Sequence, residues 1–212
     1  MKIRKLAKKV LGRDVKSTTR DYWEKSANKN LNVVIKRICD GYSKEDFLTK
    51  TDAFLFEQKK TLNPEMVVLD LACGMGRTCR WIAPQVLKYV GVDFIPEMIQ
   101  KAKEWNKEIS NAEFHINDGK TLDIFESDTF DLIYCELAFQ HMEKNIQQSY
   151  VPEIHRVLKK GGKFYAQLPK MEYYKDESFA LTNSEIEKLF KNFKIACIND
   201  LPAYYVIEAT KP

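Results

Sequence analysis

No apolar run in this 212-residue chain approaches the ~20 residues a membrane span needs, which excludes a transmembrane helix. The amino terminus starts with charge but lacks the apolar segment of about 7–15 residues that a secretory signal requires. Cysteine is sparse and odd in number: Cys39, Cys73, Cys79, Cys135 and Cys197 are scattered, and no C-x-x-C pair occurs. That pattern excludes a disulfide framework and a zinc site, and it implies reduced thiols in a cytoplasmic protein. Internal repeats and low-complexity segments are missing as well. With 44% hydrophobic and 30% charged residues the composition is that of a globular chain, not a disordered one. The length suits one domain, or one domain with an appendage.

The net charge of +4 is unevenly spread. Residues 1–30 hold ten Lys and Arg against Asp14, Asp21 and Glu24, so the remainder of the chain is mildly acidic. A nucleic-acid enzyme spreads positive charge along the face that tracks the phosphates, so no nucleic-acid partner is expected. Ile3, Leu6, Ala7, Val10 and Leu11 recur at helical spacing, with Lys2, Arg4, Lys5, Lys8 and Lys9 opposite them. Two readings stay open for this basic helix of residues 1–11. It either docks its apolar stripe on the domain or makes weak contact with an anionic membrane surface.

The first 65 residues read as helical, with Asp21–Asn32 and Val33–Gln58 as the main segments. From Met66 the texture alternates. Met66–Leu71 is a buried strand followed by a glycine turn and a helix through Ala83. Lys88–Asp93 is the next strand, and Pro96 opens a helix with Met98, Ile99, Ala102, Trp105 and Ile109 on one face. Glu113–Asn117, Phe130–Cys135 and Lys163–Leu168 are three more strands. The last follows a helix from Asn145 to Lys159 that the spacing predicts to end at Gly161–Gly162. Ser184–Phe190 reads as a short helix, and Lys194–Asn199 with Tyr204–Thr210 as a closing hairpin. The whole predicts an α/β fold, with a helical extension over 1–65 and a ligand-binding domain over 66–212.

The chemistry is concentrated at the strand ends. Asp70 closes the first strand and is followed by Gly74 and Gly76, where a missing Cβ lets a ligand approach the backbone. Asp93 closes the second strand and can accept both ribose hydroxyls of a nucleoside; Asp118 and Gly119 follow the third. A dinucleotide site also uses a glycine-rich turn and a distal acid. Here, however, the third glycine would fall at Cys79. Asp70 also stands where a pyrophosphate needs no carboxylate. A cationic nucleoside welcomes that charge.

These motifs, together with Phe130–Cys135 trailed by Phe139-Gln140-His141, and Arg156-Val157-Leu158-Lys159-Lys160-Gly161-Gly162, resemble the class I S-adenosylmethionine-dependent methyltransferases. The likeness runs from about Pro64 to Pro212. It implies a Rossmann-like, seven-stranded, mostly parallel sheet in the order 3-2-1-4-5-7-6, with strand 7 antiparallel and helices on both faces. It implies S-adenosyl-L-methionine as cofactor and S-adenosyl-L-homocysteine as product. Asp70, Ala72, Gly74 and Gly76 would then serve the methionine end, Asp93 the ribose, and Phe94 and Ile95 the adenine ring. Asp118 and Gly119 would meet the adenine amino group, and Cys135 and Glu136 the sulfonium region. Ala72 departs from the family, where glycine is commoner, and so does Lys160, where proline is.

The resemblance implies in-line methyl transfer to a small-molecule acceptor, with no metal. The segment Ala138–Met142 is similar to a subgroup found with sugar and natural-product biosynthesis, which points to O-methylation of a saccharide or natural-product intermediate. A hydroxyl acceptor must lose a proton, and His141 and Glu136 stand where a base would. His141 has a second reading, as a cap or a structural partner of the loop. Tyr22 and Trp23 read as the start of a lid, and Tyr173 and Tyr174 as acceptor contacts; plain helix packing and loop decoration are the alternatives. A monomer or homodimer is expected. A non-catalytic binding module on the same fold is the competing function.

Overall fold

The structure, a computed structural model, describes residue 23 and residues 62–136, 138–169, 180–200 and 204–212. The N-terminal readings on residues 1–61, Trp23 apart, and those on 170–179 lie outside the described residues. Along the chain the elements are β1 (Val67–Leu71), α1 (Cys79–Ile82), β2 (Lys88–Asp93), α2 (Pro96–Trp105), β3 (Ala112–Ile116) and β4 (Phe130–Cys135). Then come α3 (Lys144–Val157), β5 (Leu158–Pro169), α4 (Asn183–Leu189), β6 (Lys194–Asp200) and β7 (Tyr204–Thr210).

Among the described residues the strands form one seven-stranded sheet in the order β3-β2-β1-β4-β5-β7-β6. β7 runs antiparallel to both its neighbours, and the pairs among β1 to β5 are parallel. The Rossmann-like topology is therefore the one the resemblance implies. No helix among the described residues is long and apolar enough to cross a membrane.

Strand alternation explains how the sheet is covered. On one face Leu69, Leu71, Ile133, Phe164 and Ala166 meet Val151, Ile154 and Val157 of α3 and Phe190 beyond α4. On the other, Val68, Tyr89, Leu132 and Tyr134 meet Cys79 and Ile82 of α1 and Ile99 and Ala102 of α2. Because side chains switch faces at every residue, Asp70, two positions after Val68, shares the face of Tyr89 and Tyr134. At the opposite end of the strands, Asp131 Oδ2 accepts from the backbone N–H of Val67 at 2.8 Å and from Lys159 Nζ at 2.8 Å. That pins β1, β4 and β5 to one another.

Two boundaries differ from the sequence reading. α2 ends at Trp105, where Asn106 bonds back to the Ala102 carbonyl, so Ile109 packs from beyond the helix. α3 ends at Val157 and passes into β5 with no loop. Gly161–Gly162 is not a helix cap. The last carbonyls of α3 already accept from Asp128 and Thr129 N–H. The glycines instead fall where β5 bulges against β4, and they exchange backbone bonds with Lys211.

Phe164 is fully buried, with rings of Phe139 at 5.5 Å and Phe190 at 6.3 Å. Phe164→Ala is expected to lower unfolding stability by about 3–5 kcal/mol. Urea denaturation reads this out, and a loss below ~1 kcal/mol would show that the site is not packed as described.

Candidate functional site

Parallel pairing brings the carboxyl ends of β1, β2, β3 and β4 to one edge of the sheet, and the loops after them enclose a cleft there. Asp70, Gly74, Asp93, Glu136, His141 and Trp23 line its inner part. Asn117, Asp118, Gly119 and Tyr150 line its outer part. Ala72, Asp93, Phe94 and Met142 line both, so the two parts adjoin. The three acidic strand tips thus face one connected space.

Asp93 organises the loops. Its Oδ2 accepts from the N–H of Gly74 at 2.9 Å, and its Oδ1 from the N–H of Ile95 at 3.0 Å. Burial pushes its carboxyl up to about 6, against these two amide bonds, which favour the charge. Gly74 has φ +54°, and a Cβ built there would meet nothing within 4 Å, so the backbone faces open space. Ala72 has φ +63°, a left-handed conformation that a side chain disfavours.

Asp70 sits on a hydroxyl cluster that the sequence reading missed. Its Oδ2 accepts from Thr78 Oγ1 at 2.5 Å and from Tyr89 OH at 2.6 Å, while Tyr134 OH lies 2.8 Å from Thr78 Oγ1. Burial raises the Asp70 carboxyl above its ordinary range, and the hydroxyls oppose that by stabilising the charge. Arg77 was also missed. Its Nη2 donates to Glu136 Oε2 at 2.8 Å, with the two side chains only 14% and 4% exposed. The pair crosses from the glycine loop to the end of β4, and both residues line the inner cleft.

His141 stands in the turn Phe139–His141 after β4. Its ring lies 6.5 Å from that of Trp23, and Gln140 Nε2 lies 3.3 Å from its Nε2. Its Nδ1 is buried with no hydrogen-bond partner among the described residues. Burial pushes its pKa down to about 4, so it is neutral at physiological pH. In the outer cleft, Asp118 Oδ1 accepts from the N–H groups of Lys120 and Thr121. A Cβ on Gly119 would lie 3.2 Å from that of Phe94, so the glycine lets the loop sit close against that side chain. Asn117 Nδ2 donates to Tyr150 OH at 2.8 Å and to the Thr121 carbonyl at 2.9 Å.

Gly76 and Cys135 are absent from the cleft lining. Gly76 is a packing glycine: a Cβ there would come within 2.8 Å of Asn106 Nδ2 and of the Phe114 ring. Cys135 is fully buried in the sheet core, and burial pushes its thiol well above its usual value. Ile95 and Trp23 line the inner part. Tyr22, Tyr173 and Tyr174 lie outside the described residues. Among the described residues no group of three or more His, Cys, Asp or Glu side chains is arranged to hold a metal ion.

Residues 68–162 match the family described as "Methyltransferase domain". The uncharacterized methyltransferase YcgJ of Bacillus subtilis is 34% identical over 99 residues, 46% of this chain and 38% of that protein. The 2-methyl-6-phytyl-1,4-hydroquinone methyltransferase of Synechocystis is 30% identical over 103 residues, 48% of this chain and 31% of that one. The chain spans less than half the length of these curated relatives. In fold it is similar to the crystal structure of a SAM-dependent methyltransferase from Aquifex aeolicus. That likeness has a TM-score of 0.64 at 15% identity and covers 84% of this chain and 98% of the other.

Two outcomes follow for the cleft. Ala72→Gly relieves the left-handed strain and is expected to stabilise by about 1 kcal/mol in urea denaturation, whereas a loss of stability would contradict the strain. Between pH 3.8 and about 6 the folded Asp93 keeps a proton that the unfolded chain has released, so its contribution to stability falls as pH rises. His141 works oppositely: from about 4 to 6.5 it is neutral when folded and charged when unfolded, so its contribution grows with pH. Asp93→Asn removes the first effect. Its stability should climb more steeply than wild type between pH 4 and 6, by up to about 1.4 kcal/mol per pH unit. An unchanged slope would rule out a protonated Asp93.

Proposed function

We propose that this chain, whose residues 68–162 match the family described as a methyltransferase domain, is a class I S-adenosylmethionine-dependent methyltransferase that methylates a small metabolite at oxygen, a saccharide or natural-product intermediate. The observation that carries the reading is the cleft itself, with Asp70, Asp93 and Asp118 around one connected space and the Gly74 backbone open to it. An anionic cradle suits a nucleoside with a sulfonium and an ammonium group. It repels a pyrophosphate, which would otherwise compete for a glycine loop at a helix start.

The residues present fit that cofactor. Asp93 keeps acceptor capacity beyond the backbone amides that hold it, which suits a ribose hydroxyl. Phe94, backed by Gly119, offers a flat apolar face at the junction of the two parts, and Asp118 an acceptor beyond it. Asp70, oriented by Thr78 and Tyr89, contributes acidity to the inner end. S-adenosylmethionine bound there supplies a methyl group for in-line displacement from sulfur. Such a reaction disperses charge, so the protein's share is alignment and exclusion of water. Trp23 and Met142 line the inner cleft with apolar surface. His141 lines the inner cleft as a neutral imidazole; with its Nε2 facing the Gln140 amide nitrogen, its Nδ1 carries the proton and can donate a hydrogen bond to the oxygen of a hydroxyl acceptor.

Titration calorimetry tests the reading. The wild type is expected to bind S-adenosylmethionine, and Asp93→Ala to weaken binding by about tenfold or more. Pools of hydroxylated small molecules are expected to provoke release of S-adenosylhomocysteine. A wild type that does not bind S-adenosylmethionine would reject the proposal.

A further inference from the structure

We infer that the outer edge of β3 pairs with β3 of a second copy of this chain, strand against antiparallel strand, and so joins the two sheets into one. This goes beyond the proposed function and does not depend on it.

Among the described residues the sheet ends in two edges, β3 and β6, and they are built differently. β6 begins with Lys194 and slips register against β7 between Cys197 and Asn199. Charge and irregularity of that kind discourage pairing with another chain. β3, Ala112-Glu113-Phe114-His115-Ile116, has no Lys, no Pro and an unbroken register against β2. Apolar side chains stand beside it. Ile116 is 49% exposed, and Ile124 is exposed in the loop whose Phe125 ring meets that of His115 at 5.8 Å. Leu87 is exposed as well, its carbonyl 3.5 Å from Asn111 Nδ2 just before the strand. These are three of the four large apolar side chains exposed among the described residues, so apolar exposure gathers at this edge.

The ladder to β2 determines which backbone groups are left over. Tyr89 N–H donates to the Asn111 carbonyl at 2.9 Å, and Asn117 N–H to the Asp93 carbonyl at 3.2 Å. Residues that bond to one neighbour alternate along a parallel strand, so Asn111, Glu113, His115 and Asn117 face β2. Ala112, Phe114 and Ile116 therefore turn their backbone groups to the outer edge. A second β3 laid antiparallel and centred on Phe114 meets those groups in phase. The two Phe114 residues exchange N–H···O=C bonds, and each Ile116 N–H reaches the Ala112 carbonyl of the other copy.

The same register matches the side chains. It sets Glu113 opposite His115 of the second copy, and His115 opposite Glu113, at the closely spaced positions that lack backbone bonds. Carboxylate faces imidazole twice, and no like charges meet. On the other face Ile116 lies over Ala112 of the second copy, where Lys103, Lys107, Ile109 and Phe114 line a hollow. An exposed isoleucine meets a small residue beside open space. Sliding the strands by two residues would set Glu113 against Glu113 or His115 against His115, so the side chains specify this one register.

Sedimentation equilibrium of the full chain over a concentration series tests the contact. The wild-type mass is expected to rise from that of one chain towards that of two. Ile116→Pro removes an outward N–H and leaves the bonds to β2 in place, a position where an edge strand tolerates proline. It is expected to weaken dimerisation by about tenfold or more. His115→Glu sets carboxylates against one another across the contact and should weaken it similarly. If circular dichroism shows that Ile116→Pro does not fold, His115→Glu carries the test. Glu113→His combined with His115→Glu opposes carboxylate and imidazole again and should recover the wild-type dissociation constant within about threefold. No recovery would overturn the register. A wild type that keeps the mass of one chain at every concentration, or that pairs only with a different protein, would overturn the inference. So would a dimer that Ile116→Pro and His115→Glu leave unchanged, because its contact lies elsewhere.

Discussion

A carboxylate held by backbone amides at the end of a parallel strand is the constraint on which the rest of the site depends. Asp93 cannot occupy its position unless the Gly74 and Ile95 amides point at it, and those amides in turn fix the glycine loop and the entry to α2. The loop's left-handed residues follow: Ala72 at +63° and Gly74 at +54° turn the chain back sharply enough to offer an amide to the neighbouring strand's tip. Parallel pairing with β1 brings that tip alongside, with Leu71 opposite Val92 in the ladder. One side chain thus couples sheet register to the shape of the cleft.

Desolvation gives the cleft its chemical character. The same burial that raises the Asp70 and Asp93 carboxyls lowers His141 to about 4, since each loses water that would stabilise its charged form. A cation entering this space restores what the acids lost. An anion restores nothing there. The hydroxyl cluster of Thr78, Tyr89 and Tyr134 partly compensates Asp70 and keeps its carboxylate oriented. Polar groups this deep persist because they are bonded to one another.

Much of the fold was legible in the sequence because strands flanked on both faces read as short apolar runs. Lys88–Asp93, Phe130–Cys135 and Tyr204–Thr210 fall where the pattern puts them. The acidic strand ends were legible in part for a similar reason: Asp70 and Asp93 each follow a short, mostly apolar run that marks a strand. What escaped was set by neighbours distant in sequence. Tyr89 and Tyr134 read as ordinary strand aromatics, and only the register of β2 and β4 against β1 turns their hydroxyls toward Asp70. Nothing near Arg77 in the sequence marks its reach across to Glu136. Gly76 carries the motif spacing, yet its missing side chain makes room for Asn106 and Phe114, a packing need that no local pattern reveals. The glycine pair after α3 misled for a related reason: carbonyls at a helix end need partners, and Asp128 and Thr129, far upstream, supply them.

The seamless passage from α3 into β5 has a mechanical consequence. The cleft rim at Glu143 and Asn145 belongs to the start of that helix, and Val157, at its far end, joins Leu158 of the central sheet directly. A rod about 20 Å long, clamped at its base with no slack, transmits force rather than absorbing it. The rim therefore stands as a jamb fixed to the sheet, interrupted along its length by Pro152, whose missing N–H leaves one turn of the helix without its backbone bond.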